Sequence, residues 1–373
     1  MNTPTKIRVA INGFGRIGRA FLKVAFSPER LADIEIVAIN DLGDIKNFAY
    51  LLKYDTAYRG SGLDVQVGVV SATGLHSPLA GQPALFVNGR EIAFVSEKDP
   101  AKLPWGKLGV DVVVECTGLF TSFEKAKVHL DAGAKRVVIS APAKDEAPAA
   151  ASVANASAGA AKVVGETVLM AMNEEKLAAC QISSNASCTT NAGSPLLAIL
   201  DEALGIEKAL LNTVHGYTAS QALVDGPSKK DFREGRAAAQ NIVPSSTGAA
   251  IAVTKIMTHL KGLFDGVSMR VPVVTGSIVD VTFVSSRSTT AEEVNGFLKK
   301  AAVDPRWKGI FTVTEEPLVS SDVIGNPHAS IADLAFTRVV GGNLVKVMAW
   351  YDNEMGYTYT LVDHVVKAGR LVK

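Results

Sequence analysis

Near the start of the chain, Gly13-Phe14-Gly15-Arg16-Ile17-Gly18 stands between an apolar run and an amphipathic stretch, and it constrains the fold more than any other feature. Ile7–Asn12 reads as a buried strand. Ile17–Ala25 reads as a helix, because Ile17, Phe21, Leu22 and Ala25 recur at helical spacing. The glycines permit a tight turn and a close approach of backbone to a diphosphate on the helix N-terminus. Alone the pattern is weak, but a second strand, Ile34–Ile39, leads to Asp41, which lies about 20 positions beyond the glycines. Its carboxylate can accept hydrogen bonds from an adenosine ribose diol. It also repels a 2′-phosphate, which favours NAD over NADP.

The rest of the chain extends this pattern. The strands Val110–Glu115 and Arg136–Ser140 flank a helix over Ser122–Ala132, as in βαβ units with a mostly parallel sheet. Glu146–Ala161, rich in Ala, Ser and Pro, reads as a surface insertion, and order resumes with a strand over Thr167–Met172. Farther on come a helix at Pro195–Leu204, a strand at Leu210–His215 and a polar, charged stretch at Thr218–Ala239. From Gly266 the runs Val267–Pro272, Ile278–Ser285, Phe311–Glu315, Ala335–Val340 and Val345–Tyr351 indicate a large mixed or antiparallel sheet. Helices are expected at Glu292–Ala302 and Gly356–Ala368. A length of 373 residues suits two domains.

Composition excludes several roles. Lys plus Arg (38) nearly equals Asp plus Glu (37), so a general basic surface is absent and nucleic acid is not expected as the main partner. No apolar run approaches the roughly 20 residues of a membrane helix, and a cytoplasmic location is expected. Cys116, Cys180 and Cys188 form neither a disulfide framework nor a C-x-x-C pair, so no metal is expected.

Cys188 has the most informative surroundings, Ser184-Asn185-Ala186-Ser187-Cys188-Thr189-Thr190-Asn191. Ser187 suits an N-cap, placing Cys188 in the first turn of a helix whose positive end stabilises a thiolate. The alternative is a buried cysteine in a turn of small residues, the reading that also covers Cys116 and Cys180. Of the six histidines, His76, His129, His215, His259, His328 and His364, most read as surface or cap residues, and His364 shares one face of the last helix with Tyr357, Leu361 and Val365. His215 differs, because it ends an apolar strand and enters a loop, where catalytic groups gather.

These strings resemble a known family. Ala10–Arg19 is similar to the N-terminal fingerprint of the glyceraldehyde-3-phosphate dehydrogenases, and Ser184–Asn191 resembles their active-site signature. Thr213–Thr218, Asn241–Ala250, Met269–Pro272 and Trp350–Glu354 follow in the family's order. The resemblance spans the chain except Glu146–Ala161. It implies an α/β fold: a Rossmann-type doubly wound parallel sheet domain over 1–186, completed by the C-terminal helix 356–373, and an α+β catalytic domain with a large mixed sheet over 187–355. It implies phosphorylating oxidation of D-glyceraldehyde 3-phosphate to 1,3-bisphosphoglycerate with NAD, a glycolytic or gluconeogenic step. Cys188 would attack the aldehyde, with His215 as base, through a hemithioacetal and a thioester. Gly13, Phe14, Gly15, Arg16, Ile17, Asp41, Lys98, Thr121, Asn353 and Tyr357 would hold the cofactor. Thr218 and Arg270 would bind the substrate's phosphate, and Ser187, Thr189, Thr247 and Gly248 inorganic phosphate. A homotetramer is implied, with Thr218–Ala239 reaching a neighbouring subunit.

The chain departs from the family in places. Ala192 stands where a second cysteine is usual, and Met355 where a tryptophan is. The loop after Asp225 is one residue longer, and a usual Arg-Arg pair reads Arg233-Glu234. That glutamate weakens one phosphate contact and leaves NADP, or use of both cofactors, open. Erythrose-4-phosphate dehydrogenase shares the fold and nucleophile, but the intact His215-Gly216-Tyr217-Thr218 run argues against it.

Overall fold

The structure is a computed structural model that describes residues 5–74, 76–144, 165–228 and 231–372. The insertion expected at Glu146–Ala161 lies outside the described residues. Contacts divide the chain into two compact units, Met1–Ala186 with Leu361–Lys373, and Ser187–Thr360.

The first unit is built on a nine-stranded sheet. Its strands are β1 (Ile7–Asn12), β2 (Ile34–Asn40), β3 (Val65–Val69), β4 (Pro83–Val87), β5 (Arg90–Val95), β6 (Val112–Glu115), β7 (Arg136–Ile139), β8 (Gly165–Thr167) and β9 (Ile182–Ser184). They lie in the order β8-β9-β7-β6-β1-β2-β5-β4-β3. Only the β3-β4 and β4-β5 pairs are antiparallel. β1 and β6 are buried at nearly every position and strongly β-branched, as befits central strands covered on both faces. The helices α1 (Arg16–Ala25), α2 (Ile45–Lys53) and α3 (Phe123–Asp131) follow β1, β2 and β6. In register, Asn12 faces Asn40 on one side and Glu115 on the other, so three neighbouring parallel strands end level.

The strand expected over Thr167–Met172 ends at Thr167. Asn173 takes over the backbone there, accepting from Leu169 N at 2.8 Å and donating to Thr167 O at 2.9 Å, and Ala171 adopts a φ of 64°.

The second unit contains α4 (Cys188–Leu204), β10 (Ile206–Gly216), β11 (Val243–Ser246), α5 (Ala249–Thr254), β12 (Phe264–Val271), β13 (Ser277–Ser285), α6 (Ala291–Ala302), β14 (Phe311–Thr314), β15 (Ser330–Asp333), β16 (Arg338–Val340) and β17 (Leu344–Tyr351). The sheet is mixed, in the order β11-β12-β10-β13-β17-β15-β14, with β16 beside β17. Burial alternates strictly along β13, so one face packs inward and the other does not. The strand expected from Ala335 begins only at Arg338, because Asp333 caps a short helical turn by accepting from Ala335 N at 3.1 Å. α7 (Met355–Arg370) begins in this unit and continues into the first. Among the described residues no helix is long and apolar enough to cross a membrane.

Candidate active site

In the first unit β1 opens into the glycine turn. Gly13 has a φ of 93°, and a Cβ there would lie 2.7 Å from Thr117 N. A Cβ on Gly18 would lie 2.2 Å from Gly13 O. Both positions require glycine, one for its conformation as well as its space, the other for close packing of helix on turn. A Cβ on Gly15 would meet nothing within 4 Å, so that side of the turn is open. α1 has no side-chain cap and no acidic residue in its first turn, so its positive end is available to an anion. Asp41 accepts from Phe14 N at 2.7 Å and from Gly43 N at 3.0 Å, which holds its carboxylate beside the turn. This cradle fits a diphosphate next to a ribose diol. The Arg16 guanidinium pairs with Asp55 at 2.8 Å. Lys98 is exposed just beyond β5, and Thr121 is buried beyond β6, its carbonyl accepting from Lys144 N.

In the second unit Ser187 caps α4, its Oγ accepting from Thr190 N at 3.1 Å, and Cys188 opens the helix. His215 lies near the end of β10. Cys188 Sγ and His215 Nε2 are 3.3 Å apart. His215 Nδ1 sits 2.7 Å from Gly216 O, a carbonyl that can only accept, so the neutral ring carries its proton on Nδ1. Nε2 is then the lone-pair nitrogen facing the thiol, as a general base requires.

Electrostatics refine the expectation of a thiolate. Burial pushes the Cys188 thiol above its usual range, against the opposing influence of the Arg270 guanidinium and of hydrogen bonds from Thr189 and the helix amides. The helix N-terminus therefore does not by itself ionise the thiol. Burial, reinforced by Arg270, pulls His215 down to about 3. Each charge is costly alone, so the resting pair is neutral, and a proton passed from Sγ to Nε2 would create two opposite charges that offset each other's burial.

Arg270 is the cross-strand neighbour of His215 on β12, and its buried Nη1 has no hydrogen-bond partner among the described residues. A half-buried guanidinium whose inner nitrogen has an unused donor suits an anion. Thr218 Oγ1 pairs with Ser220 Oγ at 3.0 Å, and Thr247 Oγ1 accepts from Ala249 N at 3.1 Å beside Gly248, the N-cap of α5. Among the described residues no hydrogen bond joins Thr218, Thr247 or Gly248 to Cys188 or His215. Glu234 accepts from Ser245 Oγ at 3.3 Å on β11. Asn353 is held by its Oδ1, which accepts from Gly276 N, Ser277 Oγ and Thr275 Oγ1, and this orients its Nδ2 as a donor. Tyr357 is buried in the first turns of α7.

Sequence reasoning missed Tyr351. It is 1% exposed, its hydroxyl lies 2.9 Å from Thr189 Oγ1 and 2.7 Å from Thr213 Oγ1, and its ring meets that of His215 edge-on. The histidines also need correction. His76, His129 and His364 are buried rather than superficial, because each has a polar partner inside: Glu91, Glu115 with Trp105, and Ser183 with Asn185. The other two thiols are unsuited to attack. Burial raises both, Cys180 to about 11.

Residues 7–123 match the glyceraldehyde 3-phosphate dehydrogenase NAD binding domain, and residues 187–353 match the C-terminal domain of the same family. The glyceraldehyde-3-phosphate dehydrogenase of Streptomyces coelicolor is 46% identical over 365 residues, covering 97% of this chain and 98% of that protein. The enzyme of the same name from Mycobacterium avium is 45% identical over 368 residues, 98% and 99% of the two chains. That from Mycolicibacterium smegmatis is 44% identical over 369 residues, again 98% and 99%. With both domain matches in order and such similarity along nearly its whole length, the chain belongs to the glyceraldehyde-3-phosphate dehydrogenase family and carries that family's NAD-binding domain.

Proposed function

We propose that this chain oxidises D-glyceraldehyde 3-phosphate to 1,3-bisphosphoglycerate, using NAD and inorganic phosphate. The observation that carries the reading is the 3.3 Å contact between Cys188 Sγ and His215 Nε2, with the imidazole tautomer set by Gly216 O. Cys188 Sγ bonds to the aldehyde carbon while its proton passes to His215 Nε2. His215 returns that proton to the former carbonyl oxygen, which becomes the hemithioacetal hydroxyl, and Nε2 accepts it again as the carbon is oxidised and its hydride leaves. NAD, when bound, supplies the hydride acceptor. Inorganic phosphate then attacks the thioester carbon, and the Cys188 thiolate leaves. Covalent catalysis thus divides one difficult oxidation into two easier steps.

Arg270 and Thr218 hold the substrate's phosphate in this reading, supported by the unpartnered buried Nη1. Ser187, Thr189, Thr247 and Gly248 receive inorganic phosphate, supported by their hydroxyls and the two helix N-caps. Gly13 to Ile17, Asp41, Lys98 and Thr121 hold the dinucleotide. Asn353 donates to the nicotinamide carboxamide, and Tyr357 packs near its ring. The assembly is a cytoplasmic homotetramer. In support, Leu210, Val267 and Leu344 on the second sheet, and Leu223, Val224 and Phe232 beyond β10, expose apolar surface that suits subunit contact. A catalytic thiol also suits a reducing compartment.

The test is Cys188→Ser. The variant should fold and bind NAD yet lose all turnover of glyceraldehyde 3-phosphate, because a hydroxyl is far less nucleophilic at neutral pH. A variant retaining a tenth of the parent rate, or a parent that prefers erythrose 4-phosphate, would overturn the reading.

A further inference from the structure

Beneath the glycine turn lies a buried polar chain that the proposed chemistry does not use. It joins Trp105, His129, Glu115, Asn12 and Asn40, all at most 6% exposed. Its proton positions are forced. The Trp105 indole can only donate, and it donates to His129 Nδ1 at 3.2 Å. The ring proton therefore sits on His129 Nε2, which donates to Glu115 Oε2 at 3.0 Å. Asn12 Nδ2 donates to the same oxygen at 2.6 Å. Asn12 Oδ1 accepts from Asn40 Nδ2 at 2.7 Å, and Asn40 Oδ1 accepts from Glu97 N at 2.9 Å. Glu115 Oε1 accepts from Thr117 N at 2.7 Å and from the Thr117 hydroxyl.

Asn40 Nδ2 also donates to Glu97 O at 3.1 Å, and the donors from Asn12, His129 and Thr117 converge on Glu115 as acceptor. The branches reach the segments that follow β1, β2, β5 and β6, and those segments carry Gly13 to Ile17, Asp41, Lys98 and Thr121. The fit is tight, since a Cβ on Gly13 would lie 2.7 Å from Thr117 N and 2.8 Å from the Cys116 carbonyl carbon. Any movement of Thr117 is therefore felt at the glycine turn.

We infer that Glu115 is the positioning residue of the dinucleotide site: its carboxylate, accepting from Asn12, His129 and Thr117, locks the cofactor-bearing loops in their binding arrangement. The inference rests on the proposed NAD site. It explains why a carboxylate and not an amide stands there. An amide of the same shape would turn a donor toward either Asn12 and His129 or Thr117 N, and neither His129 nor a backbone N–H can reverse its role.

The test is Glu115→Gln, with NAD affinity measured by calorimetry, steady-state kinetics, and the alkylation rate of Cys188 by iodoacetamide. The NAD Kd and KM should rise at least about tenfold, the loss expected when buried donors face each other. Turnover at saturating NAD should stay within about twofold, and alkylation of Cys188 should not change. If Glu115→Gln does not fold, Thr117→Val decides, since it deletes one donor to Glu115 at a half-buried site and should still raise the Kd about threefold. A folded variant with the parent Kd overturns the inference. So does a parallel fall in affinity, turnover and alkylation, the mark of general destabilisation. A parent protein that binds no NAD instead refutes the function proposed above.

Discussion

Replacing His215 with Asn removes the proposed proton acceptor while keeping a polar side chain. The consequence follows from the 3.3 Å Sγ–Nε2 contact and from burial, which raises the Cys188 thiol and lowers the imidazole. In the proposed mechanism the thiolate is formed beside an imidazolium. Opposite charges about 4 Å apart attract by about 4 kcal/mol at an effective dielectric near 20. Each 1.4 kcal/mol is about a factor of ten, so the variant should lose about two to three orders of magnitude in kcat, within the range for general base catalysis. KM for the aldehyde should change little, because the proposed phosphate contacts of Arg270 and Thr218 remain. The assay is NAD reduction across pH 6 to 10, with iodoacetamide alkylation read in parallel. Alkylation should become slow at neutral pH and keep climbing with pH, since the proton must now leave to solvent. A variant that keeps more than a tenth of the parent kcat, or alkylates at the parent rate at pH 7, would refute the pairing.

Two further outcomes follow from other parts of the structure. Asp41→Asn, which removes the charge beside Phe14 N, should shift the ratio of kcat/KM for NAD over NADP toward NADP by at least about tenfold; an unchanged ratio would show that Asp41 does not govern the choice. Acid stability should depend on His364, which is fully buried between Ser183 and Asn185 and held down to about 3. Because the unfolded histidine titrates near 6.5, the unfolded chain binds the extra proton between about pH 6.5 and 3. Stability is complete above that window and falls with pH inside it, by up to about 1.4 kcal/mol per pH unit for this residue. Urea midpoints from pH 7 to 4 should show the decline, and His364→Asn should flatten it; an identical slope would remove His364 as the cause.

What the sequence revealed was local in character. The glycine turn, the Ser187 cap and the strand carrying His215 each depend on residues within a few positions, and patterning exposes them. The buried polar chain was invisible because sheet order assembles it: Asn12 and Glu115 are 103 residues apart and meet only because β1 lies beside β6. Tyr351 escaped for the same reason, since its partners Thr189 and Thr213 come from α4 and β10. The histidines were misjudged because burial of an imidazole depends on a remote partner that periodicity does not reveal. The strand ends at Thr167 and Arg338 were misplaced where single side chains, Asn173 and Asp333, took backbone hydrogen bonds from the sheet.

The claim that Cys188 carries the substrate through a thioester is tested most directly by a single-turnover experiment without phosphate. Glyceraldehyde 3-phosphate and NAD are mixed with the enzyme, NADH is followed in stopped flow, and the quenched protein is digested for mass spectrometry. The account predicts a burst of about one NADH per active site, an acyl adduct on the peptide bearing Cys188, and resumed turnover when phosphate is added. Continuous NADH formation without phosphate, or an adduct on Cys116 or Cys180 instead, would contradict it.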